Sequence, residues 1–475
     1  MRALFLMLLC TALVSCAPNK NADNSERDKP SIDAPIALTL TDGGDGPWTV
    51  DIKRRGTGPL NGGDLYAFSR STNDYRSETW QSVTGADFAR KYGFDTITLT
   101  DNQAQLTLMP YSGMMQASYT PFIHFSDGGT AVFAGQFDMF ALKDEAALEA
   151  LGGDVYNNKG DLFAAPLTIK SSRPILYGGQ SYDGEFTLNL DGKVSYAYVG
   201  ETDITQGQDF AGVIDPGLPD WISGRFDDDL TLVFKALSER WGFGLTDKAT
   251  ILLAFEGYEL EGLSATGGAL PGNMIVMQLS GNRLREENPR ILSYLQWFFT
   301  HEAAHLFQGH SDKHYAHNRY SWINEGGANT MTSMILVDKG LVADDYLQDT
   351  YSNSFKRCTE ALEGKTLETA INNGPEGNYD CGDLIGRITD AALPDYDFFD
   401  FWNAFLDGLD GNFTDADYFK TMRALGANES VVSRLEALTS EKITDATGHL
   451  QSLMNDAGIK TTFVDGTMTA IAFPD

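Results

Sequence analysis

The chain contains two histidines and a glutamate in the order H-E-x-x-H, within a segment that runs from Pro289 to Gly309. His301 and His305 are four residues apart, and in a helix four residues advance the chain by about one turn, so both imidazoles would project from one face. Such a pair can share a Zn2+ ion, and Glu302 beside it can take a proton from a zinc-bound water and deliver it to a leaving amine. The pattern therefore predicts a zinc site with Glu302 as general base.

A third ligand is expected because a catalytic zinc ion takes three protein ligands and leaves one position open. The segment Trp322–Asn329 reads W-I-N-E-G-G-A-N, and a helix that starts near Asn324 would carry Glu325 in its first turn. The intervening residues, His310 to Ser321, leave enough chain for that helix to fold back beside the first one. We therefore predict Glu325 as the third ligand.

With these residues the chain resembles the gluzincin peptidases, particularly the membrane alanyl aminopeptidase family, in which H-E-x-x-H is followed by the glutamate of a W-x-N-E-G-x-A segment. Here nineteen residues separate His305 from Glu325. The resemblance covers residues 215 to 425 and implies a thermolysin-like catalytic domain. It also implies a role for Tyr379, because N-Y-D-C-G at 378–382 is similar to the segment whose tyrosine stabilises the oxyanion. The residues alone equally allow a tyrosine that packs at a helix start.

One segment departs from that family. The stretch from Gly268 to Gly272 reads G-A-L-P-G and occupies the place of the family's G-A-M-E-N, whose glutamate binds the amino terminus of the substrate. Proline cannot bind an ammonium group, so Pro271 leaves open whether the enzyme trims chain ends or cuts internally. The nearby acidic residues are substitutes for that glutamate or, alternatively, solvated carboxylates; they are Glu256, Glu259 and Glu261.

The elements that must position these residues fall into two regions, which predicts an α+β multi-domain fold. From 36 to 212, short alternating runs separated by Gly, Asp and Asn predict a sandwich-like β-rich domain. From 213 to 475, longer helical periods begin with Leu230 to Trp241 and predict the zinc-binding domain, mixed α/β at first and helical towards its end. Two buried strands, Ala249 to Tyr258 and Met274 to Leu279, and a hairpin from Thr461 to Phe473 are also expected.

The first residues resemble an export signal. Arg2 precedes an apolar run that is too short to span a bilayer, and Leu13-Val14-Ser15-Cys16 resembles the lipobox of bacterial lipoproteins. We expect a signal peptide over 1–15, a lipid on Cys16, a flexible tether over 16–35, and attachment to the cell envelope, by analogy at the outer membrane. The alternative is an ordinary cleaved signal peptide with a spare cysteine. In an oxidising compartment Cys358 and Cys381 are expected to form a disulfide.

The amino-acid composition restricts which molecules the protein can bind. The 475 residues include 66 acidic and 35 basic side chains, and the net charge of −31 would repel nucleic acid. Two further clusters carry no predicted site. His310, His314 and His317 are interpreted as a solvated loop, and Thr414 with Asp417 as a helix capping box rather than part of a calcium loop.

The sequence therefore predicts a zinc metallopeptidase that acts on a peptide or protein. Its predicted zinc ligands are His301, His305 and Glu325. Two other functions remain open. The first is a non-catalytic binding lipoprotein that keeps the scaffold, and the second is a zinc hydrolase that acts on a non-peptide carbonyl, since the same chemistry serves both substrates.

Overall fold

The computed structural model of the protein describes most of the chain from Ala34 onwards. The described residues are 34–56, 64–69, 73–113, 119–153, 161–163, 165–188, 195–311, 313–342, 344–464 and 467–474. The predicted signal peptide, most of the predicted tether and Cys16 lie outside these residues, so their assignment stays a prediction.

The described chain forms two compact units. Unit 1 contains the described residues of Met1–Gly224 and Asp247–Glu286, and unit 2 contains those of Arg225–Thr246 and Glu287–Asp475. Unit 1 is rich in strands, whereas unit 2 is largely helical. The predicted α+β multi-domain fold class is therefore confirmed, and the domain boundary between 212 and 213 remains a prediction.

Unit 1 contains most of the strands. They are β1 (Ile36–Thr41), β2 (Trp48–Arg54), β3 (Asp64–Phe68), β4 (Trp80–Thr84), β5 (Ala86–Lys91), β6 (Phe94–Leu99), β7 (Gln103–Leu108), β8 (Phe122–His124), β9 (Thr130–Phe133), β10 (Met139–Leu142), β11 (Asp161–Phe163), β12 (Leu167–Lys170), β13 (Ile175–Tyr177), β14 (Gln180–Tyr182), β15 (Glu185–Leu188), β16 (Tyr196–Val199), β17 (Thr205–Gln206), β18 (Phe210–Ile214), β19 (Ala249–Phe255), β20 (Ser264–Leu270) and β21 (Met274–Ser280). Two short helices, α1 (Tyr75–Thr79) and α2 (Glu145–Ala150), lie between strands of this unit.

Three sheets build the N-terminal part of unit 1. Their strand orders are β15-β12-β1-β2-β7-β4, β11-β10-β3-β6-β5 and β14-β13-β16-β9-β8. In β1 the buried residues Ile36, Leu38 and Leu40 alternate with half-buried ones, because successive side chains of a strand point to opposite faces. These side chains join a continuous apolar core with Trp48 of β2.

The fourth sheet of unit 1 has the order β17-β18-β19-β21-β20 and contains parallel pairs, β18 with β19 and β19 with β21. Every residue of β19 is buried, as expected for a parallel strand covered on both faces. The two predicted strands are confirmed as β19, which ends at Phe255 rather than Tyr258, and β21. Strand β20 pairs antiparallel with β21, and Pro271 lies in the exposed turn between them.

Unit 2 consists of most of one long helix and nine further helices, followed by a hairpin. The helices are α3 (Asp220–Trp241), α4 (Pro289–Gln308), α5 (Ser321–Asp338), α6 (Asp344–Leu362), α7 (Leu367–Asn373), α8 (Asp380–Ala392), α9 (Phe398–Asp407), α10 (Asp415–Ala424), α11 (Glu429–Ser440) and α12 (Ala446–Asp456). The strands β22 (Lys460–Val464) and β23 (Thr467–Ala472) pair antiparallel, which confirms the predicted hairpin. Within the described parts of the chain, no helix combines the length and the apolar character needed to cross a bilayer.

Candidate metal centre

The helix that carries H-E-x-x-H begins and ends as its sequence predicts. The Asn288 side chain accepts hydrogen bonds from the backbone N–H groups of Arg290 and Ile291, Pro289 occupies the first turn, and α4 ends at Gln308. Its apolar face packs on aromatic residues of α3. The ring centroid of Phe234 lies 6.1 Å from that of Phe299 and 6.5 Å from that of Phe307. This packing fixes the orientation of α4 within unit 2.

The second helix of the site starts earlier than expected. Helix α5 begins at Ser321 rather than near Asn324, after a short 3-10 turn at Asn318–Tyr320. Glu325 therefore lies in the second turn of α5 instead of the first. Its position is still compatible with ligation, because the packing of α5 against α4 rather than the distance from the helix start brings Glu325 to the histidines.

Three side chains converge between α4 and α5. The Nε2 atoms of His301 and His305 are 3.0 Å apart, and the Oε2 atom of Glu325 lies 3.5 Å from the first and 3.2 Å from the second. Ligands at the Zn–N and Zn–O distances of about 2.0–2.1 Å on a tetrahedron would be about 3.3–3.4 Å apart. The arrangement therefore has the spacing that a tetrahedral zinc ion requires. Among the described residues these three form the cluster able to hold a metal ion.

The electrostatics of the cluster tie Glu325 to the histidines. Burial by itself would raise the pKa of Glu325, but the charges and hydrogen bonds of His305 and His301 hold that pKa well below its usual value. Burial by itself would lower the pKa of His305. The charge and hydrogen bond of the Glu325 carboxylate have a larger, opposite effect and raise the pKa of His305 to about 9. Without a metal, His305 therefore keeps its proton at neutral pH, and a cation would displace this proton on binding.

Gln308 fixes the ring of His305. The Nδ1 atom of His305 lies 2.7 Å from Oε1 of Gln308, whose Nε2 donates to the backbone carbonyl of Asn324 at 3.1 Å. Once a cation displaced the extra proton of His305, Nδ1 would still donate to the amide oxygen, and Nε2, which faces the other two residues of the cluster, would be the nitrogen available to a metal. Gln308 also connects α4 to α5 next to Glu325.

Glu302, the predicted general base, is buried in α4 with 7% of its surface exposed. Its charge reaches Tyr294, two turns earlier on the same helix: burial raises the pKa of the Tyr294 phenol, and the Glu302 carboxylate raises it further. The Glu302 carboxylate also acts electrostatically on His305, so its charge is felt at the three-residue cluster.

Tyr379 immediately precedes α8, and its ring centroid lies 5.8 Å from that of His301. Its side chain is half-buried. The structure therefore places the ring of Tyr379 beside His301, one member of the three-residue cluster.

Two glycines explain why the segments of Glu325 and Tyr379 come together. Helices α5 and α8 touch through their backbones at Gly326 and Gly382. A Cβ atom on Gly326 would lie 2.1 Å from the carbonyl carbon of Gly382, and one on Gly382 would lie 2.6 Å from the carbonyl oxygen of Trp322. Any larger residue would push these helices apart.

The remaining predicted residues have other positions or other partners. Glu256, Glu259 and Glu261 are exposed in unit 1. His310, His314 and His317 are exposed and are not part of the three-residue cluster described above. The capping box of Thr414 and Asp417 is confirmed at the start of α10. Cys358 and Cys381 form a disulfide.

The sequence interpretation missed Gln308 and Tyr294. Gln308 is three residues after His305, so it follows the ligand on the same helix face, and this spacing could have identified it. Tyr294 carries no such signal, because its proximity to Glu302 depends on two turns of helix and on burial.

Comparison with solved structures supports the fold. The aminopeptidase N family protein of Idiomarina loihiensis superposes with a TM-score of 0.63 over 90% of this chain and 79% of that one, at 12% identity. This similarity shows that the two chains share a fold. The M1 zinc metallopeptidase of Deinococcus radiodurans matches over 86% of this chain and 92% of that one, at 14% identity and a TM-score of 0.43. No protein-family model and no curated protein matches the sequence.

Proposed function

We propose that the protein is a zinc-dependent metallopeptidase that hydrolyses peptide bonds. The proposal rests on the convergence of His301, His305 and Glu325 at tetrahedral spacing. The buried Glu302 lies on α4, the helix that carries the two histidines. A scaffold that only binds other molecules has no need of all four groups, so this convergence favours hydrolysis over the binding-lipoprotein alternative.

Each residue has a task in such a reaction. Zinc held by the three ligands would polarise the substrate carbonyl and make water more acidic. Glu302 takes the proton of the attacking water and delivers it to the leaving amine. Tyr379 donates a hydrogen bond to the carbonyl oxygen as this atom becomes negatively charged. Gln308 holds the His305 ring in the tautomer that can bind a cation.

The first experiment measures the metal content of the purified protein by mass spectrometry and its cleavage of a mixed peptide library with and without chelator. We expect about one zinc ion per chain and chelator-sensitive cleavage. The cut positions will report whether Pro271 has removed the requirement for a free amino terminus. Zinc without any peptide cleavage would favour a non-peptide substrate, and absence of metal would favour the binding lipoprotein.

The variant that tests the mechanism is Glu302→Gln, which keeps the shape of the side chain but cannot accept a proton. We expect it to retain zinc, since the three ligands are unchanged, and to lose about 100- to 10,000-fold in kcat. Turnover at the level of the unaltered protein would refute the role of Glu302. Glu239→Gln, the same substitution at an exposed residue of α3, is the matched control and should leave kcat unchanged.

We further propose that the chain is exported and anchored by a lipid on Cys16. The L-V-S-C sequence and the Cys358–Cys381 disulfide, a bond that persists in oxidising compartments, support the proposal. Cys16→Ala should move the protein from the membrane fraction to the soluble fraction. Mass spectrometry of the N-terminal peptide should find the lipid on Cys16 in the unaltered protein, and an unmodified cysteine would contradict the anchor.

A further inference from the structure

The first turn of α8 is attached to α6 by two adjacent pairs of residues. Cys358 of α6 forms a disulfide with Cys381 of α8. One position earlier on each helix, the Arg357 guanidinium donates to both carboxylate oxygens of Asp380, through Nε at 2.8 Å and Nη2 at 2.6 Å. The Ser354 hydroxyl also donates to Asp380 at 2.8 Å. We call these residues the α6–α8 clamp.

The clamp is located next to Tyr379. This tyrosine stands at the N-cap position of α8, where no side chain caps the free N–H groups of the helix. The backbone N–H of Tyr379 donates to the carbonyl oxygen of Pro375 at 3.0 Å, so the chain enters α8 through a preceding turn, whereas no side chain caps the first N–H groups of α8 itself. The covalent and ionic attachment of Asp380 and Cys381 restrains the two residues that follow Tyr379 directly.

The other side of α8 is already fixed. Gly382 contacts Gly326 of α5 backbone to backbone, one residue from the metal ligand Glu325. The start of α8 is therefore held between α5 and α6. The α5 contact sets how close α8 can come to the metal ligands, and the α6 contact restrains the turn that carries Tyr379.

We propose that Arg357, Asp380 and the Cys358–Cys381 disulfide are positioning residues that hold the Tyr379 phenol beside His301 for catalysis. The proposal rests on the peptidase function above and assigns the clamp a role in the reaction rather than in stability alone. A displacement of about 1 Å of a catalytic group can reduce the rate about 100-fold, so contacts that hold the first turn of α8 in place affect a phenol that is carried by the residue before it.

The test is a double-mutant cycle between the clamp and the tyrosine. Cys358→Ala/Cys381→Ala and, separately, Arg357→Gln are made in the unaltered protein and in the Tyr379→Phe background. In the unaltered background we expect kcat for a fluorogenic peptide taken from the library hits to fall about 10- to 100-fold, with little change in KM. In the Tyr379→Phe background the same changes should cost less than about twofold, because the group that they position is gone.

Two controls separate positioning from general destabilisation. Arg423→Gln removes another bidentate arginine pair, with Glu429 on the surface of unit 2, and should leave kcat unchanged in both backgrounds. Leu435→Ala removes a buried side chain from the core at α11 and should lower the melting temperature. Arg357→Lys, which keeps the charge but not the two-point contact, should recover part of the lost kcat. Zinc content should remain about one per chain in every variant.

Amide hydrogen exchange distinguishes failure of this proposal from failure of the peptidase function. We expect backbone amides of residues 376–385 to exchange at least about tenfold faster in the clamp variants than in the Leu435→Ala control. Unchanged exchange would overturn the clamp whether or not the protein cuts peptides. Equal kcat losses with and without the Tyr379 hydroxyl would overturn it as well and leave only a structural role. Faster exchange in a zinc-loaded protein that cuts no peptide would retain the restraint on Tyr379 but refute the peptidase function.

Discussion

The close contact between Gly326 and Gly382 predicts that a larger residue at position 326 destabilises the protein, and the distances between the two helices give the size of the effect. In Gly326→Ala the new Cβ would lie 2.1 Å from the carbonyl carbon, 2.3 Å from Cα and 2.5 Å from the carbonyl oxygen of Gly382. All three atoms belong to the backbone of α8, so no side chain can move aside. Because ordinary van der Waals contact begins near 3.4 Å, α5 and α8 must separate by about 1 Å.

Two opposing effects decide the stability of this variant. Alanine is a better helix former than glycine by about 1 kcal/mol, whereas forcing a methyl group into a filled interface costs about 1–3 kcal/mol. We expect the difference to be a net loss of up to about 2 kcal/mol. The separation should also move Glu325 away from Tyr379 and reduce kcat about 10- to 100-fold.

The matched control is Gly224→Ala. Gly224 is also within a helix, α3, but a Cβ at this position would meet nothing within 4 Å. It should therefore show the gain in helix propensity alone, about 0.5–1 kcal/mol. Urea unfolding and steady-state kinetics of the two variants measure the difference. If Gly326→Ala were as stable and as active as Gly224→Ala, the close approach of α5 and α8 would be refuted.

The remaining predictions concern Gln308 and Asp383. Gln308→Leu leaves Nδ1 of His305 without its amide partner and should weaken zinc binding about 10- to 100-fold in a competition titration with a chelator; unchanged affinity would contradict the orienting role. Burial raises the pKa of Asp383 to about 7 from its usual 3.8, while the hydrogen bond from Thr330 opposes the shift. Because the pKa is raised in the folded state, the native protein keeps the Asp383 proton up to a higher pH than the unfolded chain does. The stability that comes from binding this proton is complete below about pH 4 and is lost as the pH rises towards 7. Asp383→Asn should therefore match the unaltered protein near pH 4 and exceed its free energy of unfolding by about 4 kcal/mol above pH 7. Parallel stability curves across this range would exclude the shift.

Local sequence rules were enough for several elements. The start and end of α4 follow from Pro289 in its first turn and Gly309 just beyond its end, because the restricted φ of proline and the tendency of glycine to follow a helix act within one turn. The hairpin at 460–472 and the strands β19 and β21 follow from short apolar runs between turn residues. In these cases the determinants lie within a few residues of the element that they define.

The start of α5 shows where local rules fail. The residues near Asn324 favour a helix start, yet the helix begins at Ser321, directly after the 3-10 turn at Asn318–Tyr320. Turn preferences before a helix are weak, and tertiary contacts override them easily.

The motif H-E-x-x-H and the later N-E-G could be recognised in the sequence. One helical turn sets the spacing of His301 and His305, and imidazole and carboxylate groups in this order indicate a metal site. That Glu325 lies next to the two histidines is decided by the tertiary structure. It depends on the packing of α4 against α5, and the contact of Gly326 with Gly382 brings the turn of Tyr379 to the same place. These contacts join residues that are 20 to 80 positions apart in the chain. Local periodicity carries no information on such separations, whereas the close packing of helix surfaces determines them.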